Sequence, residues 1–213
     1  MKTNRSKSGS PRVLCGTDFS PAATRAADVA CCLAKQWDLP LELAHVSAVP
    51  AEPTLAKKLK AAAEPLRARG LVVRDVMLEG SPDEELVRRA MPKSCRLVVV
   101  SSLGKRAVKR WLLGSVSERT AQRAAVPTLV VRESAPFESW TRGVRPLKVF
   151  VAFNFTATSE AALAWVETLQ SIGPCDLTVG YVDFPLEQKK RLGGSLAFGT
   201  EGNPPEIQEL SLI

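Results

Sequence analysis

Histidine is almost absent from this sequence: His45 is the only one among 213 residues. A single histidine excludes a histidine-based metal cluster and leaves few routes to Ser-His-Asp or Cys-His catalysis. Because it falls late in an apolar run, we expect His45 to have a structural role at a strand end. The chain also lacks any apolar run near the roughly 20 residues that a membrane-spanning helix requires. Its first residues are basic but no apolar stretch follows them, so residues 1–11 are predicted to be a disordered lead-in and not a secretory signal.

Cysteine pairing motifs are missing as well. The five cysteines are odd in number, and no two of them form a C-x-x-C pair. Four of them fall inside apolar runs, which is typical of buried thiols and not of a disulfide framework. A reducing, cytoplasmic location is therefore expected. Apolar residues make up 45 % of the chain, which is enough for a substantial core.

The net charge of +7 is unevenly distributed. Residues 1–147 contain 25 Lys and Arg against 14 Asp and Glu, whereas residues 148–213 contain 4 against 8. The first part therefore has a balance of +11 and the second a balance of −4. Charge alone does not choose between nucleotide, nucleic acid and solvent as the counterpart of the basic part.

Short β-like runs alternate with longer helix-like stretches over residues 12–133. Five strands are predicted, at residues 12–17, 41–46, 71–78, 96–101 and 128–132. Four helical stretches separate them, and this alternation is typical of an α/β fold with a parallel sheet and right-handed crossovers. We expect a doubly wound, Rossmann-like sheet with strand order 3-2-1-4-5.

The sequence after this region repeats part of it. Residues 134–147 contain Pro136, Gly143 and Pro146 and are predicted to be a linker. Residues 149–156 then match 13–20, and residues 177–182 match 41–46, both at an offset of 136. Two segments in one register predict a partial second copy over residues 148–213. We expect this copy to be incomplete and the chain to bind at most one nucleotide, because a second phosphate loop would begin near position 240 at the same offset.

A glycine-containing loop follows the strongest predicted strand and leads into a helix. Gly104 and Gly114 lack side chains, so the backbone there can approach phosphate oxygens closely. Ser115 and Ser117 stand at the helix start, where unpaired N–H groups and the positive end of the helix dipole favour anions. Their hydroxyls can add hydrogen bonds, and Lys105 can add positive charge. The spacing fits neither the Walker A pattern nor G-x-G-x-x-G.

Asp18 is the second candidate ligand contact. It stands at the carboxyl end of the first predicted strand, which the expected strand order places beside the strand that carries the loop. In open α/β sheets, ligands bind outside the carboxyl ends of the strands, where the strand order reverses. A carboxylate there can accept hydrogen bonds from ribose hydroxyls or from the adenine amino group.

Each of these signals also has a simpler interpretation. A lone Gly-Ser at a helix start is more often a cap than a phosphate site. The basic run at residues 105–110 is most often a solvated loop surface, and Trp111 within the loop is a typical anchor to a core. Nucleic-acid binding would favour several aromatic residues interleaved with the charge, and only Trp111 is there.

Taken in order and spacing, four motifs resemble the universal stress protein family. They are residues 16–20, residues 43–46, Gly104-x9-Gly114-Ser115, and residues 126–131. By that resemblance Asp18, with Thr17 beside it, would meet ribose or adenine, and the backbone of Val46 would meet adenine. Gly104, Gly114, Ser115 and Val116 would hold the phosphates of ATP, with or without magnesium.

One position departs from the family's loop pattern, G-x2-G-x9-G-[ST]. The first glycine of that pattern is Ser101 in this chain. Serine costs little there if its φ is negative, whereas it would crowd the ligand if the site required φ above zero.

The sequence therefore predicts a cytoplasmic stress-response protein that binds ATP or another adenine nucleotide as a regulatory module. The alternative is an interaction or scaffold module of the same fold without nucleotide, and a nucleic-acid contact through the basic part ranks third. An efficient enzyme ranks last because the loop lacks a Walker-type lysine and no general base is evident, although slow ATP hydrolysis stays open. The resemblance also implies a homodimer, for which the edge strand at residues 128–132 is the expected place.

Overall fold

The structure is a computed structural model that describes residues 11–48, 53–102 and 114–181. It divides into two compact units, Met1–Arg142 and Gly143–Ile213. Residues 1–10 of the predicted lead-in and residues 103–113 of the predicted phosphate loop lie outside the described residues.

A five-stranded parallel sheet forms the centre of the first unit, with strand order 3-2-1-4-5. Its strands are β1 (Arg12–Gly16), β2 (Leu41–Ser47), β3 (Val73–Glu79), β4 (Cys95–Ser101) and β5 (Thr128–Val131). The predicted fold class and strand order are therefore confirmed. The predicted strand ends differ from the observed ones by no more than about two residues, which is the uncertainty expected of element boundaries.

Five helices accompany this sheet. They are α1 (Pro21–Gln36), α2 (Pro53–Arg67), α3 (Pro82–Arg89), α4 (Ser115–Arg123) and α5 (Ala135–Thr141). α1 begins where Ser20 Oγ accepts a hydrogen bond from Ala23 N at 3.1 Å, followed by proline in the first turn. Its alanine-rich side is buried, which lets the helix approach the sheet closely. None of the helices in the described part of the chain is both long and apolar enough to cross a membrane.

Helix α5 lies within the segment that the sequence predicts to be a linker, residues 134–147. Pro136 is tolerated because it falls in the first turn, where its missing N–H costs no hydrogen bond. Trp140 is only 1 % exposed, and α5 packs against α1. Gly143, with φ of 70°, follows the helix in the left-handed conformation that often ends helices. The boundary between the two units therefore falls after Arg142, at the end of this helix.

The central strands are buried on both faces. On the face opposite α1, Leu14 of β1 and Val98 of β4 form one buried cluster with Leu86 of α3. Such double coverage explains why β4 is a continuous β-branched run without polar alternation.

The second unit contains a two-stranded parallel sheet joined by one helix. Its elements are β6 (Leu147–Ala152), α6 (Ala157–Gln170) and β7 (Cys175–Gly180). Val149 pairs with Leu177, and Val13 pairs with Leu41, so the two registers differ by the same offset of 136 as the sequences. On this correspondence we propose that the second unit is a partial repeat of the first.

Backbone details follow the same offset. Phe19 and Phe155 both have positive φ, 63° and 59°, directly after the polar residue that ends the β1 and β6 regions. Bulky residues rarely adopt this conformation, so its appearance at both positions is informative. The N-caps Ser20 and Thr156 also correspond.

Burial divides the five free cysteines into two groups. Cys15, Cys31 and Cys95 are buried, and Cys32 and Cys175 are partly exposed. Burial raises the pKa of Cys15 to about 12, and it raises the pKa of each of the other four thiols as well. Because the thiolate is the reactive form, all five should be slow at neutral pH.

We therefore expect a thiol-reactive disulfide reagent to label at most Cys32 and Cys175 in the native protein at neutral pH. The three buried thiols should react only after unfolding in guanidinium. The absorbance released in the two conditions gives both counts. Rapid native labelling of more than two thiols would contradict the burial of Cys15, Cys31 and Cys95.

Candidate functional site

The strand order of the first unit defines the location of the candidate site. β1 lies between β2 and β4. β2 and β3 follow on one side of β1, and β4 and β5 lie on its other side, so the strand order reverses between β1 and β4. A crevice outside the carboxyl ends of the strands is expected at this switch point. Asp18 follows β1 there, and Ser101 ends β4. The fold thus places Asp18 and Ser101, which are about 80 positions apart in sequence, at the ends of two neighbouring strands.

Two hydrogen bonds attach the start of α4 to the end of β4. Gly114 N donates to Ser102 O at 2.9 Å, and Ser117 Oγ donates to Ser101 O at 2.6 Å. The first turn of α4 is thereby held at the switch point. Gly114 is the N-cap, and no side chain caps the helix in the described part of the chain. The first-turn N–H groups of α4 can therefore serve an anion.

The residues of this first turn differ in exposure. Ser115 is exposed, Val116 is partly buried and Ser117 is buried, with 5 % of its surface accessible. Because the Ser117 hydroxyl donates its proton to Ser101 O, its role in this structure is to join α4 to β4. The sequence predicts Ser117 as a direct nucleotide contact. In this structure its hydroxyl proton is instead donated to Ser101 O within the protein.

Ser101, which departs from the family's loop pattern, has ordinary strand geometry. Ser101 belongs to β4 and pairs with Val131 of β5, and it is not among the described residues with positive φ. Strand geometry is open to any residue, so serine replaces the family's glycine without backbone strain. Of the two alternatives for this position, the structure favours the one in which serine is tolerated.

A compact turn follows β1 and orients Asp18. Ser20 N donates to Asp18 Oδ1 at 2.9 Å, and Phe19 N donates to Thr17 Oγ1 at 3.1 Å. These two bonds hold Phe19 in its left-handed conformation. The Asp18 carboxylate thus has a defined orientation at the start of α1, where the helix dipole favours negative charge.

His45 connects this turn to β2. Its Nδ1 lies 2.7 Å from Thr17 O, and its ring packs on that of Phe19 with centroids 4.4 Å apart. Lys58 Nζ of α2 lies 5.1 Å from the centroid of the Phe19 ring. His45 therefore has the structural, strand-end role that its place in the sequence indicates. Sequence reasoning did not identify Phe19 and Lys58, because their contacts depend on the positive φ and on the position of α2.

The backbone of Val46 points toward the switch point. Pro40 O and Ala44 O accept hydrogen bonds from Val13 N and Thr17 N, whereas Ser47 O accepts one from Gly80 N beyond β3. Peptide groups alternate in direction along a strand, so those of Val46 face the same side as those of Ala44. Pairing of β1 with β2 ends at Gly16 and Ala44. The Val46 peptide groups therefore face the space just beyond the end of β1.

Two of the predicted site residues, Gly104 and Lys105, lie outside the described residues. The others are all found at the carboxyl ends of β1, β2 and β4 or in the first turn of α4. Among the described residues, no three His, Cys, Asp or Glu side chains are grouped as they would be in a metal site.

The strand order defines a doubly wound α/β protein whose candidate site lies at the switch point between β1 and β4. Residues 47–132 match the model of the universal stress protein family. A universal stress protein of Methanocaldococcus jannaschii is 42 % identical over 77 residues, which cover 36 % of this chain and 44 % of that relative. The universal stress protein YxiE of Bacillus subtilis is 28 % identical over 145 residues, covering 57 % of this chain and 98 % of its own length. Residues 47–132 of this chain therefore form a domain that matches the universal stress protein family.

A solved structure agrees on the fold. The universal stress protein from Archaeoglobus fulgidus superposes with a TM-score of 0.51 and 18 % identity, covering 58 % of this chain and 98 % of that one. At this identity the likeness concerns the fold alone.

Proposed function

We propose that this chain is a cytoplasmic stress-response protein whose first unit binds ATP or another adenine nucleotide in the crevice between β1 and β4. In this proposal the bound nucleotide regulates the stability of the protein or its choice of partner. The observation that carries the proposal is the first turn of α4. Its N–H groups are uncapped by any described side chain and are held at the switch point by the bonds to Ser101 and Ser102. Across the crevice stands the oriented carboxylate of Asp18.

The phosphates would lie at the start of α4. The N–H groups of Ser115 and Val116 can donate to phosphate oxygens, and the Ser115 hydroxyl is exposed for the same purpose. Gly114 leaves room for that approach. Gly104 and Lys105 precede this turn in the sequence and would complete the phosphate contacts together with Ser101 at the end of β4.

The nucleoside would lie toward β1 and β2. Asp18 supplies carboxylate oxygens to ribose hydroxyls, with Thr17 next to it in the same turn. The peptide groups of Val46 offer a donor and an acceptor to the edge of adenine. In this arrangement the ribose and the base bind on one side of the crevice and the phosphates bind on the other.

This proposal does not require an efficient enzyme. The sequence lacks a Walker-type lysine. Slow ATP hydrolysis is compatible with the arrangement, and magnesium would bind through the phosphates if it binds at all.

A homodimer through β5 is part of the same proposal. β5 pairs only with β4 among the described strands and is therefore an edge. Edge strands present unpaired backbone groups that a second copy can complete. β5 has only 4 residues, so side chains around it would also contribute to the contact between the two copies.

Thermal unfolding in the presence of ATP tests the nucleotide proposal. We expect ATP to raise the melting temperature, because a ligand that binds only the folded state stabilises it. At about a hundred times the dissociation constant the stabilisation is about 2.7 kcal/mol. Adenosine should stabilise the protein much less, because it lacks the phosphates that α4 would bind. Parallel scans with and without magnesium establish whether the metal contributes.

The variant Asp18→Asn sharpens this experiment. Asparagine keeps an oxygen that can accept from Ser20 N, but it loses the charge that strengthens a ribose hydrogen bond. Asn154 occupies the corresponding position in the second unit at the offset of 136. The variant should melt near the wild-type temperature without ligand and gain less from ATP. An unchanged melting curve of the wild type at millimolar ATP would favour the scaffold alternative.

A further inference from the structure

One face of the β6–β7 sheet is exposed. α6 covers the other face, where Leu147 and Val151 are buried together with Val166 and Leu169 of α6. Side chains alternate between the faces of a strand, so Phe150 points away from α6. Phe150 is 68 % exposed, which is unusual for a large apolar residue in the middle of a strand.

The corresponding face of the first unit is packed against a helix. Leu14 occupies the place of Phe150, and Ala44 the place of Gly180, when the two registers are aligned at the offset of 136. Leu14 and Ala44 are fully buried in the cluster that includes Leu86 of α3. The same face of the same strand–helix–strand arrangement is therefore a packing surface in the first unit and an exposed one in the second.

Phe150 makes this exposed face flat. A Cβ atom built on Gly180 would lie within 3 Å of two atoms of the Phe150 ring, so the ring lies directly over the Gly180 backbone. The aromatic ring thus extends across both strands and does not project outward from the sheet. A flat surface with an aromatic ring at its centre can pack against another sheet.

Two opposite charges lie on the same face. Lys148 is directly opposite Asp176 in the register of β6 and β7, and both are exposed. Neither takes part in a salt bridge with any residue that the structure describes. A twofold axis parallel to the strands would place β6 of one copy over β7 of the other. Each Lys148 would then face Asp176 of the partner subunit, so the charge pattern is complementary to itself.

We propose that a second copy of this chain covers this face, with the two β6–β7 sheets packed against each other around Phe150. Six-residue strands give a face about 20 Å long and about 10 Å wide. This face has an area of about 200 Å² on each copy, which is well below that of a typical specific interface, so the association is weak and depends on concentration. It differs from the edge-strand dimer proposed for β5 and does not depend on nucleotide binding.

Charge exchange in the full-length chain tests this interface. Lys148→Asp places two carboxylates opposite each other, and Asp176→Lys places two ammonium groups opposite each other. Each single variant should weaken the association by about tenfold or more, because like charges replace opposite ones. An equal mixture of the two variants should restore it, since every pair across the mixed interface is again opposite. Sedimentation velocity over a wide concentration range measures all three samples.

Matched controls establish that the effect belongs to this face of the sheet. Glu167→Lys makes the same charge change as Asp176→Lys at an exposed position of α6 and should leave association unchanged. Phe150→Ser should abolish this association, with circular dichroism verifying that the variant stays folded. Recovery in the mixture cannot result from misfolding of either variant. A wild-type chain without a concentration-dependent step, or a step that all these changes leave intact, would overturn the proposal.

Discussion

Replacing Glu42 with glutamine is expected to lower the free energy of unfolding of the first unit by about 3 kcal/mol. The Glu42 side chain is only 4 % exposed, and its carboxylate lies 2.6 Å from Arg89 Nε and 3.0 Å from Arg12 Nε. Arg12 also donates to Ser94 O and Arg89 O, which fixes its position. Removing the carboxylate leaves two guanidinium groups close together without their common counterion. The expected loss lies at the lower end for a broken buried pair because the arginines are partly exposed.

Urea denaturation monitored by circular dichroism measures this loss, and Glu64→Gln provides the matched control. Glu64 forms an ion pair with Arg67 at 3.0 Å, but its side chain is 58 % exposed. Exposed pairs contribute about 0–1 kcal/mol, so the control should change little. Equal effects of the two substitutions would mean that the Glu42 cluster is solvated in solution.

Glu42 also illustrates what the sequence alone does not reveal. Within the run Leu41–Ser47 it alternates with leucine, a pattern that would ordinarily place it toward solvent. In a doubly wound sheet both faces of β2 are covered, so the polar position is buried as well. Its arginine partners are 30 and 47 positions away. Only the assembled sheet brings them to Glu42, and no local pattern encodes that contact.

The strands of the first unit were predictable because their sequence signals are local. Short apolar runs end in small or polar residues, and helical stretches with proline or serine at their starts separate them. Right-handed crossovers then restrict the strand orders that such a chain can adopt. The segment that contains α5 has misleading local signals, because Pro136 and Gly143 are typical both of linkers and of helix ends. Trp140 supplies the packing that makes this segment helical, and packing is not visible in the spacing of residues.

The strand order could be predicted from the sequence, whereas the contacts within the candidate site could not. The switch point follows from the strand order, and Asp18, Val46 and the start of α4 lie there as expected. The hydrogen bonds were not predictable. Ser117 has the hydroxyl suited to a phosphate contact, yet that hydroxyl donates to Ser101 O and fixes the helix. A residue type indicates what a side chain can bond, whereas the fold decides which partner is within reach.

The largest expected effect on binding comes from Gly114→Val. Gly114 has φ of −66° and ψ of 143°, a conformation that valine adopts readily, so the substitution should not strain the backbone. Its side chain would instead occupy the space through which phosphate approaches the first turn of α4. Loss of two charge-assisted hydrogen bonds, at about 1.5 kcal/mol each, corresponds to a weakening of at least about 100-fold.

Isothermal titration calorimetry with ATP measures this loss and the stoichiometry together. The wild type should bind one nucleotide per chain, since only the first unit has a helix start at a β1–β4 switch point among the described residues. Ser134→Val is the matched control, because Ser134 is the N-cap of α5 and likewise makes no side-chain cap bond. It should bind ATP like the wild type. If Gly114→Val stays folded and binds ATP with unchanged affinity, the phosphates do not lie at α4, and the site must be sought elsewhere along the carboxyl edge of the sheet.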